Sequence, residues 1–295
     1  MYLSAIDLGT NTLRVLILNY PDQIVFRKNY YLFLGNYIVD GRLSLDGLER
    51  LKDALLQIRD ELNRYNVEQT FAVATAFARK ISHDTELKAV FKDILGCELR
   101  IIDGDTEGKI VLKSIYNWFK KESFMVIDMG GGSTEFSLKR GNNTKIVSLD
   151  IGSLIIKEMF FKHYPPNNEE KEALYSYLMD KLKFININLL ESELVFGVGG
   201  TITTIAFLLS GLKYYDNAKI NGYVITREHL ERFCHKIEYV SMNELKEIFP
   251  LENGREKVLL SGSLFLLVIL HYFELNSIIA SDYSLLEGII PYYIE

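Results

Sequence analysis

One turn occurs twice in this chain, and it limits the architecture more than any other feature. Ala5-Ile6-Asp7-Leu8-Gly9-Thr10-Asn11-Thr12 and Val126-Ile127-Asp128-Met129-Gly130-Gly131-Gly132-Ser133-Thr134 both carry an apolar strand into an acid, then into a turn of glycine and hydroxyl residues. A recurring unit of this kind predicts two copies of one plan. The surrounding pattern agrees. YLSAID, LRVLILNY and QIVFRKNYYLFL read as three strands. A helix then fits Leu45 to Tyr65, with Leu48, Leu51, Leu55, Ile58 and Leu62 on one stripe and Ser44 as N-cap. TFAVAT is a strand, LKAVFKDILG a helix closed by Gly96, ELRIID a strand, and Glu107 to Phe119 a helix. The order βββ-α-β-α-β-α implies an α/β domain. It restarts with strands FMVIDM, TEFSLK and TKIVSLD, helices from Leu154 to Phe161 and Glu169 to Leu189, strand ELVFGV, further helices, strand Ile278 to Ser281 and a terminal helix. At 295 residues the chain exceeds one ordinary core. The expected domains are 1–121 and 122–282, with the C-terminal helix 283–295 packing back on the first.

Both turns suit phosphate. Successive backbone N–H groups converge on an anion in such turns, and hydroxyls add donors. Gly9, Thr10, Asn11 and Thr12 form the first cradle; Gly130, Gly131, Gly132 and Ser133 form the second. Three adjacent glycines between Asp128 and Glu135 exceed the needs of a hairpin, whose cost in backbone entropy suggests close approach of a polar ligand. A third stretch, FGVGGTITTIAFLL, sends a strand through Gly199 and Gly200 into a helix whose first turn holds Thr201, where the helix dipole favours an anion. Carboxylates beside phosphate call for a hard cation, so Asp128, Glu135 and Asp7 are candidate ligands for Mg²⁺ or Mn²⁺.

Other chemistries are excluded. A net charge of −6 argues against a general nucleic-acid binder. Cys97 and Cys234 are far apart in no metal-like spacing, the five histidines are scattered, and Gly104 to Ile110 fits neither a P-loop nor a calcium loop. The N-terminus has no basic leader region, and Leu264 to Leu270 is too short to span a bilayer, so the expected location is cytoplasmic with no membrane partner.

IDLGTNTLRVLI, VATAFAR, DGDTEG, VIDMGGGSTEF, VGGTITTIA and SDYSLLEG, in this order from Ile6 to Ile290, resemble the motifs of the exopolyphosphatase / guanosine pentaphosphate phosphohydrolase (Ppx/GppA) family. The resemblance implies two ribonuclease-H-like α/β domains of the actin-like ATPase superfamily facing across a cleft. It implies Mg²⁺-dependent hydrolysis of a terminal phosphoanhydride, in polyphosphate or in the 5′-triphosphate of guanosine pentaphosphate. Glu107 then falls at the catalytic carboxylate of a "GEEEA" motif, Asp128 at the metal-ligating acid and Glu135 at a second acid supporting metal or water. Arg14, Arg79 and Arg255 match arginines that would grip phosphates. A homodimer follows only by analogy. The chain departs from the pattern at Thr106, Ala76, Asn221, Ser284 and Leu286. Longer members continue into a further helical region, so this short form is expected to prefer shorter polyphosphate or the nucleotide. Two other functions stand as alternatives: a kinase or ATPase of the same superfamily, and a non-catalytic polyphosphate or nucleotide sensor.

Overall fold

The computed structural model describes residues 1–79, 81, 84–188, 194–251 and 254–294. The expected helix end at Leu189, Glu193 of the expected strand and the terminal Glu295 lie outside these. The chain divides into two compact units, Met1–Trp118 with Leu285–Glu295, and Phe119–Ser284.

The first unit holds strands β1 (Tyr2–Leu8), β2 (Thr12–Asn19) and β3 (Gln23–Tyr31), a small hairpin of β4 (Ile38–Val39) and β5 (Arg42–Leu43), and helix α1 (Leu45–Arg64). β6 (Gln69–Ala74), α2 (Ala76–Arg79), α3 (Asp84–Leu95), β7 (Leu99–Ile101) and α4 (Gly104–Phe119) follow. The sheet order is β3-β2-β1-β6-β7, an antiparallel meander with two parallel strands added beyond β1. α1 forms where its leucine stripe predicts. Ser44 accepts from the Gly47 N–H, and Leu48, Leu51, Leu55, Ile58 and Leu62 are buried against the sheet core. α3 ends at Gly96, which takes φ +68°. α4 starts three residues earlier than the apolar period suggests. Asp103 accepts from the Thr106 N–H at 2.8 Å and caps it there.

The second unit holds β8 (Ser123–Met129), β9 (Thr134–Arg140), β10 (Asn143–Leu149), α5 (Ser153–Phe160), α6 (Asn168–Leu182), β11 (Leu194–Val198) and α7 (Gly200–Ser210). It continues through α8 (Asn217–Ile220), β12 (Val224–Thr226), α9 (Arg227–Ile237), α10 (Met242–Ile248), α11 (Leu259–Tyr272) and β13 (Ser277–Ala280). Its sheet order, β10-β9-β8-β11-β13-β12, repeats the meander-plus-parallel plan and adds β12 as an antiparallel edge. The two sheets thus repeat one plan, as the duplicated turn predicts, in the ribonuclease-H-like arrangement that the family resemblance implies. α6 stops at Leu182, seven residues short of expectation, because the segment Lys183-Phe184-Ile185 turns away while Ile185 and Ile187 still reach the core. α11 is apolar around most of its circumference and runs through the core, as a helix buried on all sides must. Among the described residues no helix is long and apolar enough to cross a membrane.

The last helix, α12 (Leu285–Ile294), belongs to the first unit. Its Glu287 pairs with Arg27 of β3 at 3.2 Å, and its Gly288 lies against the backbone of Ile110 in α4. A Cβ at position 288 would fall inside contact distance of the Ile110 carbonyl, which backbone cannot easily yield. Gly288→Ala should therefore destabilise the protein by about 1–3 kcal/mol through overpacking. Urea unfolding measures it; an unchanged midpoint would show that α12 can move off α4 freely.

Candidate active site

The two duplicated turns are built on the same hydrogen bond. Gly9 N donates to Thr12 O and Gly130 N donates to Ser133 O, each at 3.0 Å. In the first unit the turn is braced from behind. Gly35 N donates to Thr10 O, and the Leu32 and Phe33 N–H groups both donate to Asn11 O. In the second unit α5 does this work: Ser153 N donates to Gly130 O, and Leu154 N and Ile155 N to Gly131 O. None of Gly130, Gly131 and Gly132 sits at positive φ. Closeness is required instead at Gly152, where a Cβ would run into the Gly130–Gly131 backbone. The first N–H groups of α5 are spent on these carbonyls and are not the anion donors.

The acids before the turns meet different partners. β1 and β2 place Asp7 directly opposite Arg14, and β8 and β9 place Asp128 directly opposite Glu135. Arg14 donates through Nε to Asp7 Oδ2 at 2.7 Å, with a second contact from its terminal nitrogen to the same oxygen. Asp7 Oδ1 is buried and has no hydrogen-bond partner among the described residues. Glu135 is almost wholly buried and accepts from the Ser148 hydroxyl at 2.8 Å. Ser148 lies opposite Glu135 on β10, so Asp128, Glu135 and Ser148 form one row across three strands. Ser148 was not among the residues read from sequence; strand register alone would have found it.

The third turn closes on this row. Gly199 takes φ +94°, and a Cβ there would stand 3.1 Å from Asp128 Oδ1 and collide with the Met129 carbonyl. The Asp128 carboxylate therefore lies at the start of α7, where the first-turn N–H groups have no intrahelical acceptor. The Arg255 guanidinium lies over Gly200, leaving no room for a side chain there. The Thr201 hydroxyl turns inward and donates to Ser153 Oγ at 3.2 Å. Only its backbone N–H is on offer to an anion. Asp128, Glu135, Gly130 to Ser133, Gly199, Gly200 and Arg255 are thus brought together within the second unit.

In the first unit Glu107 sits in the opening turn of α4, only 8% exposed. Arg79, at the end of α2, donates to the Ile102 carbonyl at 2.8 Å and reaches Glu107 Oε2 at 3.4 Å. The carboxylate is held in place by an arginine that is itself anchored to the end of β7. Among the described residues no group of three His, Cys, Asp or Glu side chains converges as a preformed metal site. The two thiols offer no nucleophile, since burial pushes Cys97 up to about 11 and Cys234 up to about 12.

Sequence reading also missed a polar knot near the end of the second unit. The Asn221 side-chain oxygen accepts from the Asp282 N–H at 2.8 Å and from the Ser281 hydroxyl at 3.1 Å. Tyr215 donates to Asp282 at 3.0 Å. Asn221 is one of the positions where the chain departs from the resembled pattern, and here it fixes the segment that leads into α12.

Comparisons with known proteins converge. The sequence profile of the Ppx/GppA phosphatase family matches residues 21–293. A bifunctional 3-dehydroquinate synthase/phosphatase of Fusobacterium nucleatum is 31% identical across 97% of this chain, which spans only 46% of that protein. Exopolyphosphatase 2 of Mycobacterium tuberculosis is 24% identical, over 97% of this chain and 96% of its own length. Among solved structures, the Aquifex aeolicus Ppx/GppA family member matches with a TM-score of 0.89 at 28% identity, covering 100% of this chain and 97% of that one. An exopolyphosphatase from Cytophaga hutchinsonii shares the fold, with a TM-score of 0.87 at 21% identity over 99% of this chain and 97% of that one. The chain belongs to the Ppx/GppA phosphatase family.

Proposed function

We propose that this protein is a divalent-metal-dependent phosphohydrolase that removes terminal phosphoryl groups from inorganic polyphosphate, and that the 5′-triphosphate of guanosine pentaphosphate is a second substrate of the same chemistry. The observation that carries the reading is the opposition of Asp128 and Glu135 at the mouth of a glycine turn, beside Gly199, Gly200 and Arg255. Like charges directly opposite across a strand pair are destabilising. A bound cation converts that cost into binding energy. The donor set is all oxygen, two carboxylates with Ser148 supporting one of them, which fits Mg²⁺ or Mn²⁺. Support for polyphosphate comes from the exopolyphosphatase relative that this chain matches nearly end to end.

Phosphoryl transfer asks a protein for positioning and charge neutralisation more than for covalent chemistry. Asp128 and Glu135 would hold the metal, which when bound polarises phosphoryl oxygens and offsets their charge. The backbone N–H groups of Gly199, Gly200 and Thr201 would meet the phosphate chain, with Arg255 as the adjacent permanent charge. Gly9 to Thr12, Gly130 to Ser133 and Arg14 would contact further phosphates. Glu107 would take the proton of the attacking water, and Arg79 would keep that carboxylate in one orientation.

Glu107→Gln should lower kcat by roughly 10²–10⁴-fold while substrate binding persists, the loss expected on removing a general base. Orthophosphate release from short polyphosphate, long polyphosphate and guanosine pentaphosphate, assayed in parallel with Mg²⁺, measures it. Near wild-type turnover in the variant would remove Glu107 from the mechanism. Asp128→Asn should abolish the response of rate to added Mg²⁺ or Mn²⁺. Consumption of ATP that requires a second substrate, with no release from the phosphate polymers, would instead indicate a kinase.

A further inference from the structure

The duplicated hairpin allows one comparison that neither half permits alone. Asp7 and Asp128 occupy the same place in the same turn, each two residues before the glycine whose N–H closes the loop. Position i+7 lies directly opposite on the next strand in both copies. In one copy that position is Glu135. In the other it is Arg14. We infer that the two acids have parted in role: Asp7 is a positioning residue that orients the Arg14 guanidinium, and the divalent cation is held by Asp128 and Glu135 without Asp7. This rests on the metal-dependent hydrolysis proposed above and narrows it to one metal site.

Three observations support the split. Asp7 Oδ2 already accepts from two nitrogens of Arg14. Asp7 Oδ1 is buried beyond the reach of water. A small divalent ion that keeps several of its waters needs ligand oxygens that a hydrated ion can approach, and neither oxygen of Asp7 meets that need. Furthermore, Arg14 is a permanently charged fork, so binding the Asp7 carboxylate along one edge sets the direction of the other. That outer edge is the part of Arg14 assigned here to substrate phosphate. Arg14 is about one-quarter exposed whereas Asp7 is almost entirely covered, the ordering expected of a gripping residue and its support.

The experiment separates metal binding from substrate binding in the full chain. Mn²⁺ alone is titrated by calorimetry and by the electron paramagnetic resonance of the free ion. Steady-state kinetics with short polyphosphate give KM and kcat. Asp7→Asn should bind Mn²⁺ with wild-type stoichiometry and affinity within about twofold, while KM rises by roughly 10–100-fold, the range for losing one charge-assisted contact. Arg14→Gln should raise KM to a similar degree, and the double variant should be no worse than either single one. Asp128→Asn and Glu135→Gln should each lose Mn²⁺. Arg14→Gln also releases Asp7 from its ion pair and serves if Asp7→Asn fails to fold: Mn²⁺ stoichiometry should stay as in the wild type. Loss of Mn²⁺ binding in Asp7→Asn, or a second ion in Arg14→Gln, would overturn the inference, as would unchanged KM in Asp7→Asn. If the wild type binds no Mn²⁺, the metal reading itself fails, and the coupling of Asp7 to Arg14 is still decided by KM.

Discussion

Two acids face each other across β8 and β9, and the rest of the second unit is arranged around that opposition. Residues directly opposite in an antiparallel pair have Cα atoms about 4.5–5.5 Å apart. Two full negative charges at such a separation repel by ~3 kcal/mol where the effective dielectric constant is near 20. A strand pair accepts that only if something positive, or several donors, answers it. The Ser148 hydroxyl answers part of Glu135, and Gly199 brings the positive end of α7 alongside Asp128. In β1 and β2 the identical backbone device is answered by Arg14, one side chain that cancels the charge within the hairpin itself. One turn geometry therefore sets two acids face to face in one unit and an acid against an arginine in the other.

The glycines follow from the same constraint. They are not needed to reach left-handed backbone at positions 130 to 132. Gly152 lets α5 sit flush against the hairpin turn, because a Cβ there would run into the Gly130 and Gly131 backbone, and the carbonyls of the turn are taken up by the α5 N–H groups. Gly199 is different: it has positive φ and no space, because the Asp128 carboxylate and the Met129 carbonyl occupy the volume a side chain would take. Gly200 is kept clear by Arg255 in the same way. Gly152, Gly199 and Gly200 each mark a place where a charged or polar group has come up to the main chain.

Much of this was legible in the sequence, for reasons that differ by element. The repeat, the three-strand meanders and α1 show in short-range patterns: period-two alternation, a leucine stripe and a serine cap all lie within one element. The row of Asp128, Glu135 and Ser148 was only half visible, because Ser148 joins it through register across a third strand. Asn221 and Asp282 meet across a separation of 61 residues, which leaves no local trace. The end of α6 was misplaced because apolar residues continue past it: Ile185 and Ile187 keep filling the core after the helix has stopped. Glu107 had no signature of its own; only the resemblance of its motif pointed to it, and the structure adds what spacing cannot, a nearly buried carboxylate beside Arg79.

The deepest layer of the site is apolar. α11 crosses the core of the second unit and meets α5, α7 and α9. Its Gly262 is so close to Thr201 that the methyl of that threonine fills the space a Cβ would need. Ser261 donates to the Ser153 carbonyl at 2.8 Å, and Ser153 accepts from Thr201 in turn. Hydrogen bonds that meet at Ser153, one at its carbonyl and one at its hydroxyl, thus tie α11 and the first turn of α7 to the first turn of α5, and each is a directional bond inside an otherwise apolar core. Hydrophobic packing alone would tolerate small slides of one helix past another, whereas a satisfied polar chain admits one register. The inward turn of Thr201 is explained by this: its hydroxyl serves to set where α7 begins, and the backbone N–H groups at that beginning inherit their aim from the core.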